Sequence, residues 1–142
     1  MAVNGDRECL GSPLTAARDA ISTAAKAPKG RVNVTVGAQS GREREVRVKL
    51  SDVDVPAGAG TLVIAVTEAD LVTEVKRGEN GGHRLAHAPV VRTLPAGAAP
   101  IEEAAYNVNI NPTWNAANLR VVVFVQGGVA LTIVGVGAAT LP

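Results

Sequence analysis

From residue 30 onward the chain alternates apolar and polar positions with a period of two. Val32, Val34 and Val36 are separated by Asn33 and Thr35, and after Gln39-Ser40-Gly41 the rhythm resumes at Val46, Val48 and Leu50. Successive side chains of a strand point to opposite faces, so this stretch predicts a hairpin with one buried face. Thr61 to Thr67 is almost continuously apolar, which predicts a central strand covered on both sides. Further strands are expected at Leu71 to Lys76, Pro89 to Leu94, Tyr106 to Ile110, Leu119 to Val125 and Val129 to Val134. Gly78 to Gly82 and Pro95 to Pro100 are too rich in Gly, Pro and Ala to continue a strand.

Before residue 30 the period is helical. Leu14, Ala17, Ile21 and Ala24 recur on one face, with Arg18 and Asp19 off it. Ser12-Pro13 marks the start, because serine can accept from free backbone amides and proline tolerates the first helical position. Pro28-Lys29-Gly30 ends the run. Ahead of the helix, Val3, the turn Asn4-Gly5-Asp6 and Glu8 to Leu10 predict a short hairpin. The connections are mostly too short for helical crossovers, so antiparallel pairing is expected. The predicted fold is mainly β: an antiparallel β-sandwich of about eight strands with an N-terminal β-hairpin and one α-helix. It forms a single domain over residues 1–142, with hairpin and helix in 1–29 and the sandwich in 30–142.

At 142 residues, folding can bury a core without metals or disulfides. Fourteen basic residues nearly balance 13 acidic ones, and a net charge of +1 gives no long-range field to draw in polyanions. Tyr106, Trp114 and Phe124 are too few and scattered for a base-stacking platform, so no nucleic-acid partner is expected. A lone cysteine, Cys9, excludes an internal disulfide, a CxxC pair and a cysteine-built zinc site. Asp6, Arg7 and Glu8 stand where a signal peptide would need apolar residues, so no targeting segment is read there. Val121 to Pro142 has no charge and could span a bilayer by length, but Gln126-Gly127-Gly128 between two β-branched runs predicts a hairpin instead. No membrane partner is expected.

The chemistry concentrates in residues 78–92, where Glu79, Asn80, His83, Arg84, His87 and Arg92 surround a glycine-rich turn. His83 and His87 have the four-residue spacing of two imidazoles on a helix face, with Glu79 as a third ligand. Gly81-Gly82 and Pro89 disfavour a helix, and in a strand the two rings would stand roughly 13 Å apart. No metal or other cofactor is therefore expected. Glu79 and His87 could instead form an acid–base dyad with Arg92 fixing an anion, against the plainer alternative that Glu79, Asn80 and Arg92 satisfy loop backbone. No nucleophile motif, Gly-x-Gly-x-x-Gly or phosphate-binding loop is present. Trp114, in the turn-rich Asn111 to Asn115, could cap a ligand pocket or plug the end of the core. The mixed charges Arg42 to Lys49 read as a solvated strand face.

Val3-Asn4-Gly5, with Gly11-Ser12 and the helix after it, resembles the end of a thioredoxin-like domain in a bacterial family of secreted proteins of unknown function. Gly78-Glu79-Asn80-Gly81, with His87 and Val90-Val91-Arg92-Thr93-Leu94, resembles the core of the β domain that follows it. Trp114, Val122 to Gln126 and Gly137-Ala138-Ala139 resemble that domain's C-terminal hairpin. The similarity covers essentially the whole chain. It implies the architecture and secreted or periplasmic relatives. It carries over no redox activity, because Cys9 does not correspond to the family's cysteines. The chain would be a fragment beginning at an added methionine, or a free-standing relative that kept the β domain.

The leading functional expectation is a non-enzymatic interaction or assembly module. It would pair through the N-terminal hairpin edge, as a homodimer or with another protein, or through the Glu79 to Arg92 loop. The rival is a small-molecule-binding protein or enzyme using a polar pocket around Glu79, His87 and Arg92. A third is an accessory domain to a thioredoxin-like partner supplied in trans.

Overall fold

The structure is a computed structural model that describes residues 2–5, 7–8, 14–27, 29–55, 59–128 and 131–141. Cys9, the helix-start pair Ser12-Pro13, Pro28, Gly58 and Val129 lie outside the described residues. The strands are β1 (Ala2–Val3), β2 (Arg7–Glu8), β3 (Gly30–Ser40), β4 (Glu43–Ser51), β5 (Thr61–Glu68), β6 (Val72–Glu74), β7 (Arg84–Ala86), β8 (Val90–Thr93), β9 (Ala96–Ala98), β10 (Glu103–Asn109), β11 (Leu119–Gly127) and β12 (Thr132–Thr140), with one α-helix, α1 (Leu14–Lys26). Eight strands form one sheet in the order β10-β4-β3-β12-β11-β5-β8, and β9 also pairs with β5. β8 takes the 66–68 end of β5 and β9 its 61–63 end. The two remaining hairpins are β1–β2 and β6–β7. The architecture is thus mainly β with one helix, as the alternation predicts.

The sheet curls over a single core. The inward side chains of β3, β4 and β10 (Val32, Val34, Val46, Val48, Leu50, Val108) pack in one cluster with those of β5 and β11 (Leu62, Ile64, Val66, Val121, Val123, Val125). Each such side chain stabilises by about 1.5–3 kcal/mol on burial, and small β-branched residues let the two layers approach without aromatics. The halves meet where β12 runs parallel to β3 through Gly135↔Gly30 and Val136↔Arg31, the only non-antiparallel pairing among the described residues. That joint departs from the antiparallel expectation. It depends on a bare backbone: a Cβ on Gly137 would stand 2.0 Å from the Val32 carbonyl oxygen.

Two further segments differ from the sequence expectation for one reason. Residues 96–98, read as breaking structure, form β9, and the last strand runs to Thr140 through Gly- and Ala-rich sequence. In both, the ladder comes from well-formed neighbours, β5 for β9 and β11 with β3 for β12, so local propensity yields to pairing.

The N-terminal unit attaches through its turn. Asn4 has φ 59° and Gly5 φ 85°, the left-handed pair that a tight hairpin turn requires. The Asn4 carbonyl accepts from the Ile133 amide at 2.9 Å, and Lys29 Nζ donates to the Ile133 carbonyl at 2.8 Å and to Asn4 Oδ1. A side chain at Gly5 would meet the Leu131 carbonyl oxygen at 2.4 Å. Among the described residues, helix α1 packs chiefly against β1. Of its expected apolar face, Ala17 is buried and Ala24 half-buried, while Leu14 and Ile21 are 62% and 54% exposed.

Candidate functional site

Residues 71–87 form an arm that pairs with itself. β6 and β7 register as Val72↔Ala86, Thr73↔Leu85 and Glu74↔Arg84. The loop beyond is closed by Val75 N–H to the His83 carbonyl (2.9 Å), Gly82 N–H to the Val75 carbonyl (2.8 Å) and His83 N–H to the Asn80 carbonyl (3.1 Å). Gly78 and Gly82 take positive φ there. Glu79 and Asn80 lie exposed at the tip, and Glu79 makes no hydrogen bond or ion pair among the described residues. His83 is exposed at the base of the loop. His87 Nε2 lies 2.8 Å from Thr73 Oγ1 across the hairpin.

Arg92 belongs to a different group. The alternation Leu62, Ile64, Val66 carries Glu68 onto the core side of β5, where the residue is only 3% exposed. A carboxylate there needs partners for both oxygens. Oε1 accepts from the Asn115 amide at 2.9 Å and Oε2 from Arg92 Nε at 2.7 Å. Arg92 is the extra residue between the pairs Thr67↔Val91 and Val66↔Thr93, a β-bulge. Its guanidinium carbon lies 6.0 Å from the centre of the Trp114 ring, at the outer range of a cation–π contact. The Glu68 carboxyl is held below its usual pKa, first by the Asn115 amide and then by Arg92, against the opposing effect of burial.

Two asparagines shape the connection that presents Trp114. Asn111 Oδ1 accepts from Thr113 N–H (3.0 Å) and Thr113 Oγ1 (2.9 Å). Asn115 caps the single 3-10 turn Ala116–Asn118 by accepting from the Ala117 amide at 3.2 Å. Asn118 and Ala69 then bridge this connection to the end of β5, with Ala69 N–H donating to the Asn118 carbonyl at 3.0 Å. Trp114 packs against the core cluster and also lines a groove of about 170 Å³.

Of the residues singled out from sequence, the structure brings together Arg92 and Trp114. Glu79, Asn80, His83 and His87 sit on the arm with other neighbours or none. Sequence reasoning missed Glu68 and Asn115. Glu68 was detectable as the next inward position after Val66; Asn115 carried no signal, because its backbone amide does the work. No group of three metal-ligating side chains occurs among the described residues.

The fold and this end of the sheet define a curled, sandwich-like β domain with a small N-terminal hairpin and helix. Residues 1–126 match the family described as "Protein of unknown function (DUF1223)", and the chain belongs to that family. A domain of the outer membrane lipoprotein Omp28 from Porphyromonas gingivalis shares the fold at 13% identity and TM-score 0.52, over 80% of this chain and 88% of that one. The E. coli curli protein CsgC aligns at 15% identity over 78% of this chain and 97% of its own, and its TM-score of 0.31 does not establish a common fold. No curated protein matches the chain.

Proposed function

We propose that the chain is a non-enzymatic β-sandwich assembly module that associates with a second copy through its N-terminal hairpin and helix. The observation that carries this is the pair of large apolar side chains left uncovered on α1. Leu14 and Ile21, each about one turn from buried Ala17, are more than half exposed. An amphipathic helix owes its stability in water mainly to packing of its apolar face, and 13 residues are marginal alone. A partner surface would supply the missing contact. The polar-pocket alternative asks Glu79, His87 and Arg92 to act together, and it is weakened because His87 pairs with Thr73, Arg92 with Glu68 and Glu79 with neither of them among the described residues.

The resemblance of residues 3–27 to the close of a thioredoxin-like domain supports the same surface, since a helix from such a domain would expect a sheet beneath it. A thioredoxin-like protein supplied in trans is the other occupant, and its binding would vanish on removal of the first 27 residues. Light scattering across a concentration series tests the proposal. The expected result is a dimer that Ile21→Asp converts to a monomer without loss of β-sheet signal. A strict monomer at all concentrations would overturn it.

A further inference from the structure

We propose that the groove beside Trp114 binds a small carboxylate bearing an apolar group. Its apolar part is formed by Ile110, Pro112, Trp114, Leu119 and Leu141, the last two buried, and its charged side by Arg42 and Arg44 from the β3–β4 hairpin. Strand alternation produces this charge separation. Arg44 occupies the position two before Val46, on the core-facing row of β4, while Glu43 and Glu45 fall on the opposite row and line a different hollow with Asn107. The groove therefore has cations and no carboxylate among its described lining residues.

The Arg42 guanidinium makes no hydrogen bond or ion pair among the described residues. An anion would meet an arginine with its donors unspent and would accept charge-assisted bonds in the planar geometry that suits a carboxylate. Size limits the apolar part. At about 170 Å³ the space is well under the roughly 300 Å³ at which pockets for drug-sized ligands begin, so it takes one aryl or branched alkyl group. The floor is firm, because the Ile110 amide donates to the Arg42 carbonyl at 2.7 Å and ties the two walls together. No residue of α1 is among the groove's described lining residues, so assembly and ligand binding can fail independently.

Trp114 is the only tryptophan, so its fluorescence reports occupancy directly. The full chain is titrated with 3-phenylpropionate, with 3-phenylpropionamide, and with a short peptide ending in leucine as free acid or amide. The expected result is a saturable change with an acid, weakened about tenfold or more in the matching amide and in Arg42→Gln, as loss of a charge-assisted contact implies. Tighter binding of the peptide acid assigns the ligand to a chain terminus, and tighter binding of the free acid to a small molecule. No saturable change up to about 10 mM of either acid, an amide that binds equally well, or an Arg42→Gln variant that binds unchanged would overturn the proposal. The acid–amide comparison needs no variant, so it stands whatever the substitution does to folding.

Discussion

Breaking the Glu68–Arg92 pair from each side should give unequal and non-additive costs. Glu68 is buried and accepts two bonds, at 2.7 and 2.9 Å, whereas the Arg92 side chain is 31% exposed. Removing one partner of a fully buried pair costs about 3–5 kcal/mol because the other charge is stranded. Arg92→Leu strands the buried carboxylate and should cost about 3 kcal/mol. Glu68→Leu strands a guanidinium that water can reach and leaves the Asn115 amide unpaired, for about 2 kcal/mol. The double variant strands no charge and should also cost about 2 kcal/mol, leaving a coupling of about 3 kcal/mol. Urea unfolding with unchanged slopes provides the four values. The sign with pH follows from the Glu68 carboxyl lying below its ordinary value of 4.5. Its contribution is complete above that value and is lost as pH falls through the lower folded-state value. The deficit of Glu68→Leu should therefore be flat above about pH 5 and shrink in more acidic solution. Additive single costs, or a deficit that grows on acidification, would refute the reasoning.

Three other outcomes follow from the packing. Gly137→Ala should destabilise by about 3 kcal/mol, since its Cβ would fall 2.0 Å from the Val32 carbonyl oxygen, while Gly97→Ala, with nothing within 4 Å, should stay within about 0.5 kcal/mol; thermal melts distinguish them. Val123→Ala, at the centre of the fully buried row on β11, should cost about 2–4 kcal/mol by denaturant midpoint. His87→Ala loses one exposed contact to Thr73 and should change the melting temperature by less than about 2 °C.

Most of the β architecture was legible because valine alternation fixes which face of each strand is buried, and register follows from that face. The curl was not. The parallel β3–β12 contact depends on backbone approach at Gly135 and Gly137, which alternation does not encode. β9 was hidden for a similar reason: Ala-Gly-Ala has no strand preference, and the open side of β5 imposes the conformation. At the site, the density of functional groups around Glu79 to Arg92 drew attention to the arm, where turn geometry spreads those groups apart. The apolar run read from Thr61 to Thr67 stops one residue short of Glu68, although counting by twos from Leu62 places that carboxylate inside. Arg44 was similarly absorbed into a charged stretch, when counting by twos back from Val46 puts it on the core row. The helix was predicted with its face intact. What sequence alone could not convey is that nothing in the described chain covers Leu14 and Ile21.

Hydrogen–deuterium exchange, followed residue by residue over 14–26 at concentrations below and above association, tests that uncovered face most directly. Slowed exchange confined to the helix and the adjoining hairpin as the particle doubles, with β5 and β11 unchanged, is the predicted result. Doubling in mass with helix amides that exchange as fast as before would place the contact elsewhere and contradict the account.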